Sequence, residues 1–257
     1  MQIIDTHSHI YLDDFKIDFD ETIQRAKANK VVKILLPNID VASVAQINEL
    51  VAKDKNYFIP MMGIHPTSVD ADFKKNLEII LNQENLKNIC AIGEIGLDYY
   101  WSTDFKSEQI EAFEYQINFA KERNLPIAIH CRDAFDDILD ILEKNFDDKL
   151  KGVLHCFTGN LAQAERLIAM GFYLGIGGVL TYKNSGLDKV IENIDLQHLI
   201  LETDSPYLTP VPFRGKRNES SYTIYIVQKL AEVKNVSQEE VCAETTQNAI
   251  KLFNLKL

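Results

Sequence analysis

The chain has 257 residues, 46% of them hydrophobic, which suits a large packed core and excludes a disordered protein. With 27 Lys and Arg against 38 Asp and Glu, the formal net charge is −11. An acidic body does not draw in extended nucleic acid by its overall field, so a phosphate-bearing substrate would need positive charge supplied locally, as bound metal ions supply it. The opening residues lack the basic and apolar regions of a signal peptide, and no stretch approaches the roughly 20 apolar residues of a membrane helix. The four cysteines (Cys90, Cys131, Cys156, Cys242) show neither C-x-x-C nor framework spacing. These features lead to the expectation of a cytoplasmic protein with reduced thiols, no membrane contact and no obligate protein partner.

In chain order, short apolar runs alternate with amphipathic stretches. Ile3 and Ile4 lead into Asp5-Thr6-His7-Ser8-His9, where strand alternation turns both imidazoles to one face, about 7 Å apart. Residues 18–29 are expected to be helical, and Val31–Leu36 a strand ended by Pro37. A helix follows with Val44, Ile47, Leu50 and Val51 on one face. Tyr57–Gly63 is the third expected strand, followed by a helix over 73–84 and a fourth strand over Ile89–Glu94. Ile110, Phe113, Ile117 and Ala120 mark a helix over Ser107–Arg123, with Asn124 as its stop signal. Strand five is read at Pro126–His130, a helix at 134–145, strand six at Gly152–His155 and a helix at 160–169. Strand seven is read at Phe172–Ile176, a short helix at 186–193 and strand eight at His198–Glu202. Two helices close the chain, the second opened by a Ser237-x-x-Glu240 capping box.

Eight strand–helix units with continuously apolar strands predict an α/β protein: a single-domain (β/α)8 TIM barrel spanning residues 1–257. The rival is an open doubly wound sheet, but no G-x-G-x-x-G turn opens the first helix. Five of the six histidines fall at expected strand C-terminal ends, which a parallel barrel gathers at one rim. His7 and His9 end strand one, His65 follows strand three, and His130 and His155 end strands five and six. Glu94 ends strand four, and Glu202 and Asp204 end strand eight. The rim is therefore read as a metal site. Its ligands are His7, His9, Glu94, His130, His155 and Asp204, too many for one closed tetrahedral ion. They suit two divalent ions bridged by Glu94, with His7, His9 and Asp204 on one and His130 and His155 on the other. A nitrogen and oxygen donor set without thiolate fits Zn, Mn, Co, Ni or Mg. Cys131 and Cys156 are expected to turn away from the histidines they follow.

In seven segments the chain resembles the TatD-type metal-dependent nucleases, a branch of the amidohydrolase-like barrels. The segments are Ile4–His9, Gly63–Pro66, Gly93–Tyr100, His130–Ala134, His155–Gly159, Glu202–Leu208 and Arg214–Glu219. One departure is Ser220, where that family usually carries a helix-starting proline, which puts the first turn of the next helix in question. The resemblance implies a (β/α)8 fold, a divalent-metal centre and phosphodiester hydrolysis on DNA, from the 3′ end, with RNA as a further substrate. It assigns ligation to the same six residues and adds His65 and Glu202 as functional candidates.

The expected catalytic residues are Asp204, which ligates a metal and moves the proton of the attacking water, Glu202, which orients Asp204 or a second water, and His65, which hydrogen-bonds a phosphate oxygen or protonates the leaving group. Arg132 shares the parity of His130 and offers a planar fork for phosphate. Arg214 opens a basic run, Arg214-Gly215-Lys216-Arg217, expected above the cavity. Tyr99, Tyr100 and Trp101 either stack on a base or pack a loop. Two other readings stand beside the nuclease: a hydrolase of small lactones, amides or phosphate esters, and a non-catalytic binder of metal or phosphate. Glu94, standing where the parent barrels carry a carbamylated lysine, favours the nuclease branch.

Overall fold

The computed structural model describes residues 1–82 and 84–257. Among them, eight parallel strands form one sheet in sequential order, a (β/α)8 barrel. The strands are Ile3–Asp5 (β1), Val31–Leu36 (β2), Phe58–Met62 (β3), Ala91–Asp98 (β4), Ile127–Arg132 (β5), Gly152–Leu154 (β6), Tyr173–Ile176 (β7) and Leu199–Leu201 (β8). Helices Phe19–Ala28 (α1), Val41–Lys53 (α2), Phe73–Ile80 (α3) and Lys106–Glu122 (α4) alternate with the first strands. Phe135–Lys144 (α5), Leu161–Ala169 (α6) and Leu187–Glu192 (α7) follow, and Thr223–Lys234 (α8) and Gln238–Phe253 (α9) complete the set. At the β8/β1 seam, Thr6 donates its N–H (3.0 Å) and its hydroxyl (2.9 Å) to the Leu201 carbonyl. An isolated bridge between Ser8 and Ser205 extends the seam toward the rim.

Two apolar layers hold this shape. The smaller fills the barrel's interior with Ile4, Leu35, Met61, Ala91, Ala128, Val153 and Ile200, and α9 adds Ala249, Leu252 and Phe253. The larger lies between strands and helices and includes Phe113 and Ile117 from α4 with Ile138 and Leu142 from α5. Helix starts are fixed locally. Asp40 and Ser43 cap α2 reciprocally, as do Asn160 and Gln163 for α6. At α9, Ser237 accepts the Glu240 N–H at 3.1 Å, so the serine half of the expected box forms.

Most expected elements lie within two residues of their observed bounds. The largest correction concerns β4, which runs four residues past Glu94 to Asp98. Glu94 thus sits inside the strand, where the pairing with β5 shifts register between Ile92 and Ile95. Gly96 allows the extension: its φ is +142°, and a Cβ there would come within 2.0 Å of the His130 carbonyl oxygen. β5 likewise continues to Arg132, opposite Asp98. The helix expected over 73–84 stops at Ile80, and residue 83 lies outside the described residues. His198 belongs to a 3-10 turn, Leu196–His198, before β8 rather than to the strand. The turn questioned at Ser220 forms as a 3-10 segment, Ser220–Tyr222, leading into α8.

Phe113 is fully buried between sheet and helices. Phe113→Ala leaves a cavity there and is expected to cost about 3–5 kcal/mol of unfolding free energy, read from the shift of a chemical denaturation curve.

Candidate metal centre

Glu94 is 2% exposed, and its two oxygens face different partners. Oε2 lies 3.0 Å from His7 Nε2 and 3.5 Å from His9 Nε2. Oε1 lies 2.8 Å from both His130 Nδ1 and His155 Nε2, and 3.3 Å from His65 Nε2. Asp204 closes the first group, with Oδ1 3.5 Å from His9 Nε2 and 3.8 Å from His7 Nε2. The fold thus brings the six sequence-expected ligands together. The donor atoms of His7, His9 and Glu94 all lie within 4.8 Å of one another, as do those of His7, His155 and Asp204. Neither Cys131 nor Cys156 joins such a group among the described residues.

Outer partners decide what each imidazole presents. Asp98 Oδ2 accepts the N–H of His130 Nε2 at 2.9 Å, so the neutral His130 ring turns its Nδ1 lone pair toward Glu94. Tyr11 donates its only proton to the Pro37 carbonyl (2.6 Å) and therefore accepts from His9 Nδ1 (2.7 Å). When the ring is neutral, His9 Nε2 is left with the lone pair, facing two carboxylates. His65 is the reverse case: its Nδ1 accepts the Thr67 N–H at 3.1 Å, so its Nε2 carries the proton and donates toward Glu94. His65 is thus a hydrogen-bond donor at the rim, and it also forms a third close group of donor atoms with Glu94 and His130.

This donor set fits divalent cations. Lone pairs facing a carboxylate at 2.8–3.5 Å repel unless positive charge lies between them. The separations are also the edges expected around ions whose bonds are about 2.0–2.2 Å. The electrostatics of the cluster make the same demand for positive charge. Burial works to raise the Glu94 carboxyl, but the charges of His155, His7 and His65 outweigh it and hold it well below the usual range. Burial works to lower His9, but its bonds to Asp204 and Glu94 carry it up to about 9. Burial opposes His155 too, and Glu94 and Glu202 overcome it and hold it well above its ordinary value.

Glu202 departs from its expected place beside Asp204. Its Oε1 accepts the Cys156 N–H at 2.5 Å and lies 3.6 Å from His155 Nδ1. Simple alternation fails because β8 ends at Leu201 and Asp204 adopts a left-handed backbone, φ +55°. Glu202 Oε2 and His155 Nδ1 are buried without hydrogen-bond partners. Gly175 leaves room for this carboxylate: a Cβ there would come within 2.3 Å of Glu202 Oε2. The basic run after β8 also divides. Arg217 is tied to Asp18 by two 2.7 Å bonds and lies over the Phe15 ring, whereas Arg214 is exposed, its guanidinium 4.0 Å from the Tyr182 ring. Arg132 is exposed at the end of β5. The residues that sequence reasoning missed are Asp98 and Tyr11. Asp98 stood within a motif segment without a role, and Tyr11 repeats the alternating spacing of His7 and His9.

A parallel barrel with a buried carboxylate between opposed imidazoles suits a metal-dependent hydrolase. The family model described as TatD related DNase matches residues 4–254, and the chain belongs to that family. It is 39% identical to a Bacillus subtilis protein named "Uncharacterized metal-dependent hydrolase YabD", over 98% of this chain and 99% of that one. It is 32% identical to the "3'-5' ssDNA/RNA exonuclease TatD" of Yersinia pseudotuberculosis, over 94% and 95% of the two chains. The crystal structure of YjjV, a TatD homolog from Escherichia coli K12, superposes with a TM-score of 0.88 at 28% identity, covering 99% of this chain and 98% of that one. Among the described residues, no helix is long and apolar enough to cross a membrane.

Asp98 acts on the centre through His130. Asp98→Asn is expected to weaken divalent-metal affinity roughly 10–100-fold, because an amide no longer holds the imidazole by charge, and calorimetric titration with metal measures it.

Proposed function

We propose that the chain hydrolyses phosphodiester bonds in single-stranded DNA, and in RNA, from the 3′ end, using two divalent ions drawn from Zn, Mn, Co, Ni or Mg. The observation that carries this reading is the Glu94 carboxylate, each oxygen of which faces its own set of imidazoles. The exonuclease named among the relatives supports the substrate. His7, His9 and Asp204 would hold one ion, and His130 and His155 the other, with Glu94 shared. When bound, the ions supply positive charge against a phosphate and make a water more acidic.

The chain's own groups supply the rest. Asp204 stands at the mouth; burial works to raise it, but its bond to His9 and the charges of His155 and His7 hold it below the usual range. It is a carboxylate placed to accept the attacking water's proton and return it to the leaving oxygen. His65, with its proton fixed on Nε2, donates to a phosphate oxygen or the leaving group. Glu202 works from behind, orienting His155. Arg132 and Arg214 are exposed cations outside the centre, suited to the strand's phosphates. Their presence favours a polyanionic substrate over a neutral lactone or amide.

Two measurements test this. Metal-loaded Asp204→Asn is expected to lose roughly 100-fold or more in kcat on end-labelled single-stranded DNA, and an unchanged rate would remove Asp204 from the proton route. Labels at the two ends report the direction of digestion. Arg214→Ala is expected to raise KM more than it lowers kcat, whereas the reverse pattern would move Arg214 into the chemistry.

A further inference from the structure

The turn after β4 carries three consecutive aromatic residues, and the fold treats them unequally. Tyr99 is used internally: its hydroxyl donates to Asp137 Oδ2 at 2.7 Å, and Lys106 Nζ lies 4.3 Å over its ring. Tyr100 and Trp101 are left 55% and 70% exposed, their rings edge to face at 5.2 Å. The Arg132 guanidinium lies 3.6 Å from the Tyr100 ring and 5.5 Å from that of Trp101. Among the described residues, Arg132 forms no ion pair; it is exposed, with the two aromatic faces beside its guanidinium.

The turn is pinned. Asp98 Oδ1 accepts the N–H groups of both Tyr100 (3.0 Å) and Trp101 (3.2 Å). Its other oxygen holds His130 Nε2 at 2.9 Å. One buried carboxylate therefore fixes both the exposed aromatic pair and an inward-facing imidazole of the metal centre. Exposed aromatic rings held in place this way are a surface for a flat partner, and a cation among them suits one that carries phosphate.

We propose that Tyr100, Trp101 and Arg132 form a nucleobase platform at the mouth of the barrel. It takes an unpaired base beside the bond to be cut, while Arg132 holds the adjoining phosphate. The proposal rests on the nuclease reading above and deepens it, because it explains a requirement for single strands. Glu94 is 2% exposed, so the centre is recessed and a terminal phosphodiester reaches it only after leaving a complementary strand. Stacking on the platform offsets the lost base stacking at that step. It is also tolerant of sequence, since every base has an aromatic face.

Trp101 is the only tryptophan in the chain, so tryptophan emission reports on the platform alone. Metal-loaded protein is mixed rapidly with a single-stranded oligodeoxynucleotide, and with the same strand carrying abasic sugars at its 3′ end. The intact strand is expected to quench the emission before cleavage, and the abasic strand to leave it unchanged. In steady state, Trp101→Ala is expected to raise KM for the intact strand roughly tenfold, with kcat held within about a factor of two. It is expected not to change KM for the abasic strand, and Trp101→Phe is expected to keep most of the wild-type KM. The exposed position of the side chain makes these variants safe for folding. If both strands are cut with the same KM, or the intact strand is cut with no change in emission, the platform falls and the nuclease reading stands. If neither strand is cut, the nuclease reading itself falls, and the platform with it.

Discussion

A carboxylate shut away from water among imidazoles sets the terms for the whole rim. Removing an ionised carboxylate from water costs several kcal/mol, and Glu94 is almost fully removed. Neutral imidazoles turning lone pairs toward it do not return that cost, whereas cations do. The residues that decide the matter stand behind the imidazoles. Asp98 and Tyr11 turn the lone pairs of His130 and His9 inward, and the Thr67 N–H turns a proton of His65 inward. Reversing any one of these outer bonds exchanges acceptor and donor at an inner atom. The chemistry of the centre is therefore written in the outer ring of partners as much as in the ligands.

The backbone around Glu94 is held as firmly as the side chains. The Asn38 N–H donates to the Gly93 carbonyl, and the Glu94 N–H donates back to the Asn38 carbonyl, both at 3.1 Å. The Asn38 side chain donates to the Gly63 carbonyl at 2.7 Å. One buried asparagine thus joins the chain after β2, the chain after β3 and the middle of β4. Gly93 is needed for this approach, since a Cβ there would lie 2.7 Å from the Ala128 Cβ. The Glu94 carboxylate consequently projects from inside a strand, where the barrel is stiffest, and not from a loop.

That placement marks the boundary of what is legible in the amino-acid pattern. Apolar periodicity located the strands and helices, and parallel barrel geometry then carried His7, His9, His130 and His155 to one mouth. Periodicity did not show that β4 continues beyond Glu94, because Gly96 interrupts the apolar run that follows. Nor did it show that Glu202 turns to His155, since strand alternation stops applying once the backbone enters the left-handed region at Asp204. Arg217 looked equivalent to Arg214 by composition. It differs only because the segment before α1 brings Asp18 and Phe15 to it from about two hundred residues away. Contacts of that range leave no local signature.

The departure at Ser220 shows such a contact compensating a local loss. Without a proline to start the helix, the chain enters α8 through a 3-10 turn, and the Ser220 hydroxyl donates to Asp5 Oδ2 at 2.6 Å. Asp5 also accepts the Thr203 hydroxyl at 2.7 Å, the Thr203 N–H at 2.9 Å and, more weakly, the His7 N–H at 3.4 Å. Burial pushes its carboxyl up to about 7 while these donors pull the other way. The cluster joins the segment bearing His7 and His9 to the segment bearing Asp204, across the seam where the barrel closes. The Ser220 hydroxyl adds the start of α8 to this cluster, a bond that a proline at the same position, having no hydroxyl, would not make.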